Sequence, residues 1–278
     1  MTGHSVLVLG AGGMLGTAVL QQLRAAGHRV RAIDRPQFDV LRDPVTSLDL
    51  AGTDFCINAV GLINRHAQAD PADFYQLNSL WPRLLADHCQ AESVRLIHIS
   101  TDCVYDGRRG QYTEADVPTA TDLYGRSKAL GEPRNCLVLR TSIIGPERTN
   151  HYSLLNWFLA QSRCQGYRNH LWNGVTTIQL SRVIDRILRN GLHAHCLRHV
   201  FSDDVTKLEL LELMREAFGV QVEITPADDS TARDTRLRTA HPDFVGQLGI
   251  ASLRQQIAEL PQFADSRGHW RLLPELEG

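Results

Sequence analysis

Val6-Leu7-Val8-Leu9-Gly10-Ala11-Gly12-Gly13-Met14-Leu15-Gly16 is the stretch that decides the fold. Four consecutive apolar residues stop at a glycine. Leu15, Val19 and Leu23 then recur at helical spacing, up to Gly27 as a natural C-cap. A short buried strand, a glycine-rich turn and a helix begin a βαβ unit. Gly10, Gly13 and Gly16 fit GxxGxxG; Leu15 rules out the commoner GxGxxG. Glycines so placed allow a tight turn and let the backbone and a helix N-terminus approach a pyrophosphate. The position after a strand and before a helix gives the pattern its meaning, which is dinucleotide binding.

Working outward, Val30–Ile33, Phe55–Ala59, Leu96–Ile99 and Leu137–Leu139 are further short apolar runs. Helical stretches separate them, one from about Pro71 to Cys89 and one through Lys128. This alternation predicts an α/β fold with a doubly wound parallel sheet. After Pro146 the rhythm changes. Helices are expected over Tyr152–Leu159, from Ile178 through Leu188 and over Lys207–Phe218, with a turn at Trp172-Asn173-Gly174 and a strand at Val220–Ile224. The expected division is a dinucleotide-binding domain of residues 1–147 plus roughly 175–201. Residues of roughly 148–174 and 202–278 form a smaller α/β lobe packed on it, with a weakly ordered tail after about 260.

The 278 residues are 43% hydrophobic and 22% charged, which argues against a disordered chain, and the net charge of −2 argues against nucleic acid as a partner. No apolar run approaches the roughly 18–20 residues of a membrane span. Met1-Thr2-Gly3-His4 leads into the first strand without a basic region or cleavage site, so a cytoplasmic protein is expected. Cys56, Cys89, Cys103, Cys136, Cys164 and Cys196 are scattered and read as reduced, mostly buried small hydrophobes. His193, His195, Cys196 and His199 diverge if Cys196–Phe201 is a strand, so no metal is expected.

Three features carry chemistry. The second strand ends in Asp34-Arg35: the acid suits the ribose hydroxyls of NAD, the base the 2′-phosphate of NADP, and the preference stays open. Tyr124-Gly125-Arg126-Ser127-Lys128 sets a phenol and an ammonium one helical turn apart. A cation beside a phenol lowers its pKa and makes it a usable acid or base. Chance also produces this spacing, but Lys128 and Lys207 are the only lysines among 29 basic residues. Thr101 ends the fourth strand, at the carboxyl edge where doubly wound sheets carry their chemistry, and its hydroxyl can hold a substrate carbonyl.

With these motifs assembled, the chain resembles an extended short-chain dehydrogenase/reductase, and more narrowly the sugar-nucleotide 4-ketoreductases of the dTDP-4-dehydrorhamnose reductase family. The resemblance covers about the first 145 residues. It rests on Gly10–Gly16, Phe38-Asp39-Val40, Ile57-Asn58-Ala59-Val60-Gly61, Asn78, Ser100-Thr101-Asp102-Cys103-Val104-Tyr105-Asp106-Gly107, Tyr124–Lys128, Gly131-Glu132 and Arg140-Thr141-Ser142. It implies a catalytic triad of Thr101, Tyr124 and Lys128. It also implies a cofactor, NADPH or NADH, held by Gly10, Gly13, Met14, Leu15, Gly16, Asp34 and Arg35, by Asp39-Val40 near the adenine, and by Ala59-Val60-Gly61 near the inner ribose and phosphates. Tyr124 and Lys128 complete that set.

Two departures shape the expected reaction. Related 4,6-dehydratases carry Asp-Glu after the hydroxyl residue; Asp102-Cys103 lacks the Glu, which favours simple ketone reduction. Ile143 stands where rhamnose-pathway reductases usually place an aromatic residue. Leu62-Ile63-Asn64, Arg140–Pro146, Asn150–Leu155 and Trp172–Thr176 are similar to a neighbouring branch that acts on UDP-linked 2-acetamido-2,6-dideoxy-4-keto-hexoses in surface-polysaccharide synthesis. The expected activity is NAD(P)H-dependent reduction of the 4-keto group of a nucleotide-linked 4-keto-6-deoxy sugar. Asp102, Asn150, His151, Trp172 and Asn173 are the candidate substrate contacts. A 4-epimerase and a non-catalytic NAD(P)-binding regulatory protein are the alternatives, and family analogy suggests a homodimer.

Overall fold

The computed structural model describes residues 3–63, 70–148 and 152–271. Ser5–Leu9 (β1) is apolar at successive positions because it is covered on both faces, and its last four residues are buried. Helix α1 (Met14–Ala25) follows the glycine turn and leads to β2 (Arg29–Ile33), whose half-exposed residues mark a sheet edge. Strands β3 (Phe55–Asn58), β4 (Arg95–Thr101) and β5 (Leu137–Thr141) extend the sheet on the other side of β1. The strand order therefore reverses between β1 and β3, and ligands of such sheets bind outside the strand ends at that reversal.

The expected helix from Pro71 to Cys89 is three pieces: α2 (Pro71–Tyr75), a π-helical turn at Gln76–Leu80, and α3 (Trp81–Ala91). Pro82 has no N–H to give the carbonyl of Asn78, so the regular ladder breaks there. The freed carbonyl packs on Gly131, where a Cβ would lie 1.8 Å from it. That glycine follows α4 (Leu123–Leu130), so the break brings α4 close to the sheet ends.

Past β6 (Ile143–Ile144) and α5 (Leu154–Leu159) the chain forms β7 (Arg163–Tyr167), β8 (His170–Trp172) and β9 (Val175–Thr176). It then returns to the large sheet. Helix α6 (Thr177–Arg189) packs Val183, Ile184 and Ile187 into the core shared with Leu15, Val19 and Leu23 of α1. Strand β10 (Cys196–His199) pairs with β5, giving six parallel strands in the order β10-β5-β4-β3-β1-β2. The opposite face is covered by Trp81, Leu85 and Cys89 of α3 with Phe38, Leu48 and Leu50.

The remaining elements are β11 (Val205–Thr206), α7 (Lys207–Phe218), β12 (Glu223–Ala227), β13 (Arg233–Asp234), α8 (Pro242–Gln247) and α9 (Leu253–Phe263). They build two small sheets, β11-β8-β13 and β12-β7, around a core of Phe158, Trp172, Leu210, Met214, Ile257 and Trp270. The expected strand at Val220–Ile224 lies a few residues later. The expected weak order after about 260 is corrected for residues 261–271, where α9 runs to Phe263 and Trp270 is buried and bridged to Ala264; residues 272–278 lie outside the described residues. A capping box at Ser252 and the apolar repeat Leu253, Ile257, Leu260 explain that order.

All six cysteines are free. His193 bonds the Leu96 carbonyl and His199 the Arg238 carbonyl, and among the described residues no His/Cys/Asp/Glu group converges as a metal site. No described helix is long and apolar enough to cross a membrane.

Candidate active site

At the strand reversal, Gly10 adopts φ +74°, and its carbonyl accepts the N–H of Gly13 at 3.0 Å. A Cβ on Gly16 would lie 2.0 Å from that same carbonyl, so only glycine lets α1 begin so close to the turn. Gly13 is the N-cap of α1, and no side chain caps the helix. Its first N–H groups are thus left for a ligand at the positive end of the helix. Asp34 turns back toward this loop, its Oδ1 accepting the Gly12 N–H at 2.6 Å. Arg35 stays largely exposed, 3.6 Å from the Asp39 carboxylate. Gly10, Gly13, Asp34, Arg35, Asp39, Val40, Ala59, Val60 and Gly61 line a cavity of about 290 Å³, and Gly16, expected there, supports the turn without lining it. An uncapped helix start and a cradle that side chains would fill fit a dinucleotide.

Gly13, Ala59, Val60 and Gly61 also line a second cavity, of about 490 Å³, with Met14, Leu15, Thr101, Asp102, Cys103, Tyr124 and Lys128. Strand β4 carries Thr101 to its floor. Thr101 Oγ1 accepts the Cys103 N–H at 3.1 Å and donates to Asp102 Oδ1 at 3.3 Å. Gly125 lets α4 rest on the Cys103 carbonyl, which a Cβ would meet at 2.1 Å, and this contact sets Tyr124 beside Thr101. Burial pushes the Tyr124 phenol well above its usual pKa, helped by Cys103, while its hydrogen bond with Thr101 pulls the other way. The expected lowering by Lys128 is corrected: Lys128 Nζ turns to the Ile99 carbonyl at 2.8 Å, beside Gly61. Burial lowers the Lys128 pKa to about 8, against Glu132, which raises it.

A second layer of polar residues fixes this geometry. Asn78, freed from the helix ladder, bonds both backbone groups of Leu62 and the Ser127 hydroxyl. Glu132 takes two hydrogen bonds from the buried Arg140 and one from Ser100, the residue before Thr101.

Of the expected substrate contacts, Asp102 lines the cavity. Trp172 and Asn173 are buried outside its lining, Asn173 holding both backbone groups of Leu237. Asn150 and His151 lie outside the described residues. Sequence reasoning missed Glu147 and Ser153, which line the cavity's far wall. Glu147 accepts the N–H groups of Tyr152 and Ser153 at 2.7 and 2.9 Å, and its backbone exchanges hydrogen bonds with Gly268 and Trp270. The signal was a lone acid just after the apolar Ile143-Ile144-Gly145-Pro146.

A family model described as the RmlD substrate binding domain matches residues 4–162. The chain is 33% identical over 130 residues to a dTDP-4-dehydrorhamnose reductase of Mycolicibacterium smegmatis, a match covering 46% of this chain and 40% of that protein. It is 35% identical over 130 residues to a dTDP-4-keto-6-deoxy-D-glucose reductase of Streptomyces niveus, covering 45% of each. The matches thus span under half the length of these curated relatives. Among solved structures, dTDP-4-dehydrorhamnose reductase from Bacillus anthracis in complex with NADP superposes with a TM-score of 0.81 at 18% identity, over 93% of this chain and 99% of that one. That likeness bears on the fold.

Proposed function

The chain belongs to the RmlD substrate binding domain family, and on that premise we propose that it is an oxidoreductase. It uses NADPH or NADH to reduce the 4-keto group of a nucleotide-linked 4-keto-6-deoxy sugar for a surface polysaccharide. The observation that carries this reading is the meeting of Thr101, Tyr124 and Lys128 in a cavity that shares its wall with the glycine cradle. The dinucleotide, when bound, supplies the hydride. Residues 1–147 with roughly 175–201 hold it, and the remaining residues close over the sugar nucleotide.

Within that frame the side chains have separable tasks. Thr101 donates to the sugar carbonyl and orients it. Tyr124, kept protonated by its burial, gives its phenolic proton to the oxygen that becomes the alcohol. Lys128 presents its ammonium to the ribose hydroxyls beside Gly61. Cys103, where a dehydratase would carry a carboxylate, has its thiol pushed up to about 12 by burial and cannot act as a base near neutrality. That favours reduction over loss of water. The test is single-turnover reduction of a panel of 4-keto sugar nucleotides with each cofactor, reading the configuration at C4. A stoichiometric alcohol of one C4 configuration is expected; a mixture of both C4 epimers, or no oxidation of cofactor with any member, would overturn the reading.

A further inference from the structure

Glu147 is an acidic residue that the reaction above leaves unused. It is 8% exposed and lines the cavity that holds Thr101, Tyr124 and Lys128. Its backbone is pinned, the N–H donating to the Gly268 carbonyl at 3.2 Å and the carbonyl accepting the Trp270 N–H at 3.1 Å. In the side chain one oxygen makes every contact. Oε2 accepts the N–H groups of Tyr152 at 2.7 Å and Ser153 at 2.9 Å. Oε1 accepts from no described residue, yet it is not one of the fully enclosed unpartnered atoms of the described residues. It therefore opens onto the cavity.

This is more than the loop requires. An amide or hydroxyl oxygen would accept the same two N–H groups without bringing a charge into a largely enclosed wall. The reason for a carboxylate with one oxygen unpartnered lies in what fills the cavity. The charged groups of the lining narrow that choice. Among the described residues that line it, Asp102 and Glu147 are carboxylates, and Lys128 is the one cation, already engaged with the Ile99 carbonyl. Beside two carboxylates a phosphate is repelled, whereas a neutral group rich in hydrogen-bond donors is held. The hydroxyls and acylamino N–H of a sugar ring have that chemistry.

We propose that Glu147 is a specificity-determining residue: its Oε1 accepts a hydrogen bond from a ring substituent of the sugar, a hydroxyl or an acylamino N–H. It thereby selects sugars that carry a donor at that position. This rests on the sugar-nucleotide reading above and adds to it a direct contact on the wall formed after β6, away from Thr101 and Tyr124.

Glu147→Gln separates the two oxygens. The N–H groups of Tyr152 and Ser153 need an acceptor, so the amide oxygen takes the Oε2 place and the amide nitrogen faces the cavity. A cavity-facing acceptor becomes a donor while the loop keeps its bonds. Calorimetric affinities are measured on the NADP-loaded protein for UDP-glucose, its 2-deoxy and 3-deoxy analogues, UDP-N-acetylglucosamine and UDP. The wild type should bind the analogue lacking the held hydroxyl about 10- to 100-fold more weakly than UDP-glucose, as for a hydrogen bond to a charged group. A similar preference for UDP-N-acetylglucosamine over UDP-glucose identifies the acylamino N–H instead. Glu147→Gln should lose that preference and keep its affinities for UDP and NADP. Equal binding of all four sugar nucleotides by the wild type overturns the inference, and this arm needs no variant to fold. A variant that keeps the wild-type preference also overturns it. So does weakened NADP binding in the variant, which assigns Oε1 to the cofactor's carboxamide. A wild type that binds UDP but none of the sugar nucleotides removes the sugar-nucleotide reading, and the inference with it.

Discussion

The two adjoining cavities of the candidate active site are built from opposite materials. The proposed dinucleotide cavity is backbone and missing atoms: Gly10, Gly13 and Gly16 around an uncapped helix start, closed by Ala59-Val60-Gly61. The proposed sugar cavity is side-chain heads, with Thr101, Asp102, Tyr124, Glu147 and Ser153 each held by named hydrogen bonds or close packing. Backbone N–H groups can recognise what all pyrophosphates share, while side chains select one ligand among similar ones. The first cavity should fail when atoms are added, the second when they are removed.

The largest effect should come from removing a single oxygen in the sugar cavity. Tyr124→Phe should cut single-turnover reduction by roughly 10²–10⁴-fold while calorimetric NADPH affinity holds. A rate close to wild type would take Tyr124 out of the chemistry and break the contrast. Next, Gly13→Val adds atoms in the other cavity. Its φ of −75° suits any residue and its Cβ would lie 3.2 Å from the Gly10 carbonyl, so the fold survives and the branch fills the cradle. NADPH affinity should drop about a hundredfold, or about 2.7 kcal/mol, with the melting temperature little changed. Intact affinity would show that the dinucleotide lies elsewhere.

Smaller effects sharpen the boundary between the cavities. Lys128 has its pKa lowered to about 8, so it carries charge below that pH and loses it above. NADPH affinity should therefore fall as pH rises through about 8, approaching about tenfold per unit. Lys128→Met should flatten the profile; an unchanged slope in that variant would assign the titration to another group. The smallest change concerns cofactor choice. Asp34→Asn keeps an acceptor for the Gly12 N–H and removes the charge that faces a 2′-phosphate. NADPH should gain on NADH by about tenfold, or about 1.4 kcal/mol. No change in the ratio of the two affinities would assign the choice to Arg35.

The large sheet was legible because its inner strands β1, β3 and β5 are covered on both faces and read as short, mostly apolar runs. The helix Lys207–Phe218 was legible because Leu208, Leu211 and Phe218 recur on related turns, and the structure adds a Thr206 capping box at its start. The break at Gln76–Leu80 was signalled by Pro82, but the seating of its freed Asn78 carbonyl on Gly131 was not legible, since it depends on a distant part of the chain. Nor was the true state of Tyr124. Spacing predicts that Lys128 and Tyr124 share a face, but burial and the Ile99 carbonyl determine where the charge points and how the phenol titrates. Thr101, Tyr124 and Lys128 were visible as residue types at telling positions. Glu147 and Ser153 were not, because their place in the cavity depends on loop packing against Gly268 and Trp270.

Order of synthesis gives the return of the chain to the large sheet another meaning. When the ribosome has finished β5, the edge that β10 will cover is still bare, and so is the face that α6 will shield. At about 5–20 residues per second, the nascent chain waits several seconds before Cys196–His199 arrives. During that wait Leu137, Val138 and Leu139 form an open apolar edge, the kind of surface on which growing chains pair with one another. Arg140 interrupts that edge, and its partner Glu132 has already emerged, so one charged residue can guard the unfinished sheet before it stabilises the finished one. A gene cut just after residue 162, where the family match ends, would make that exposure permanent.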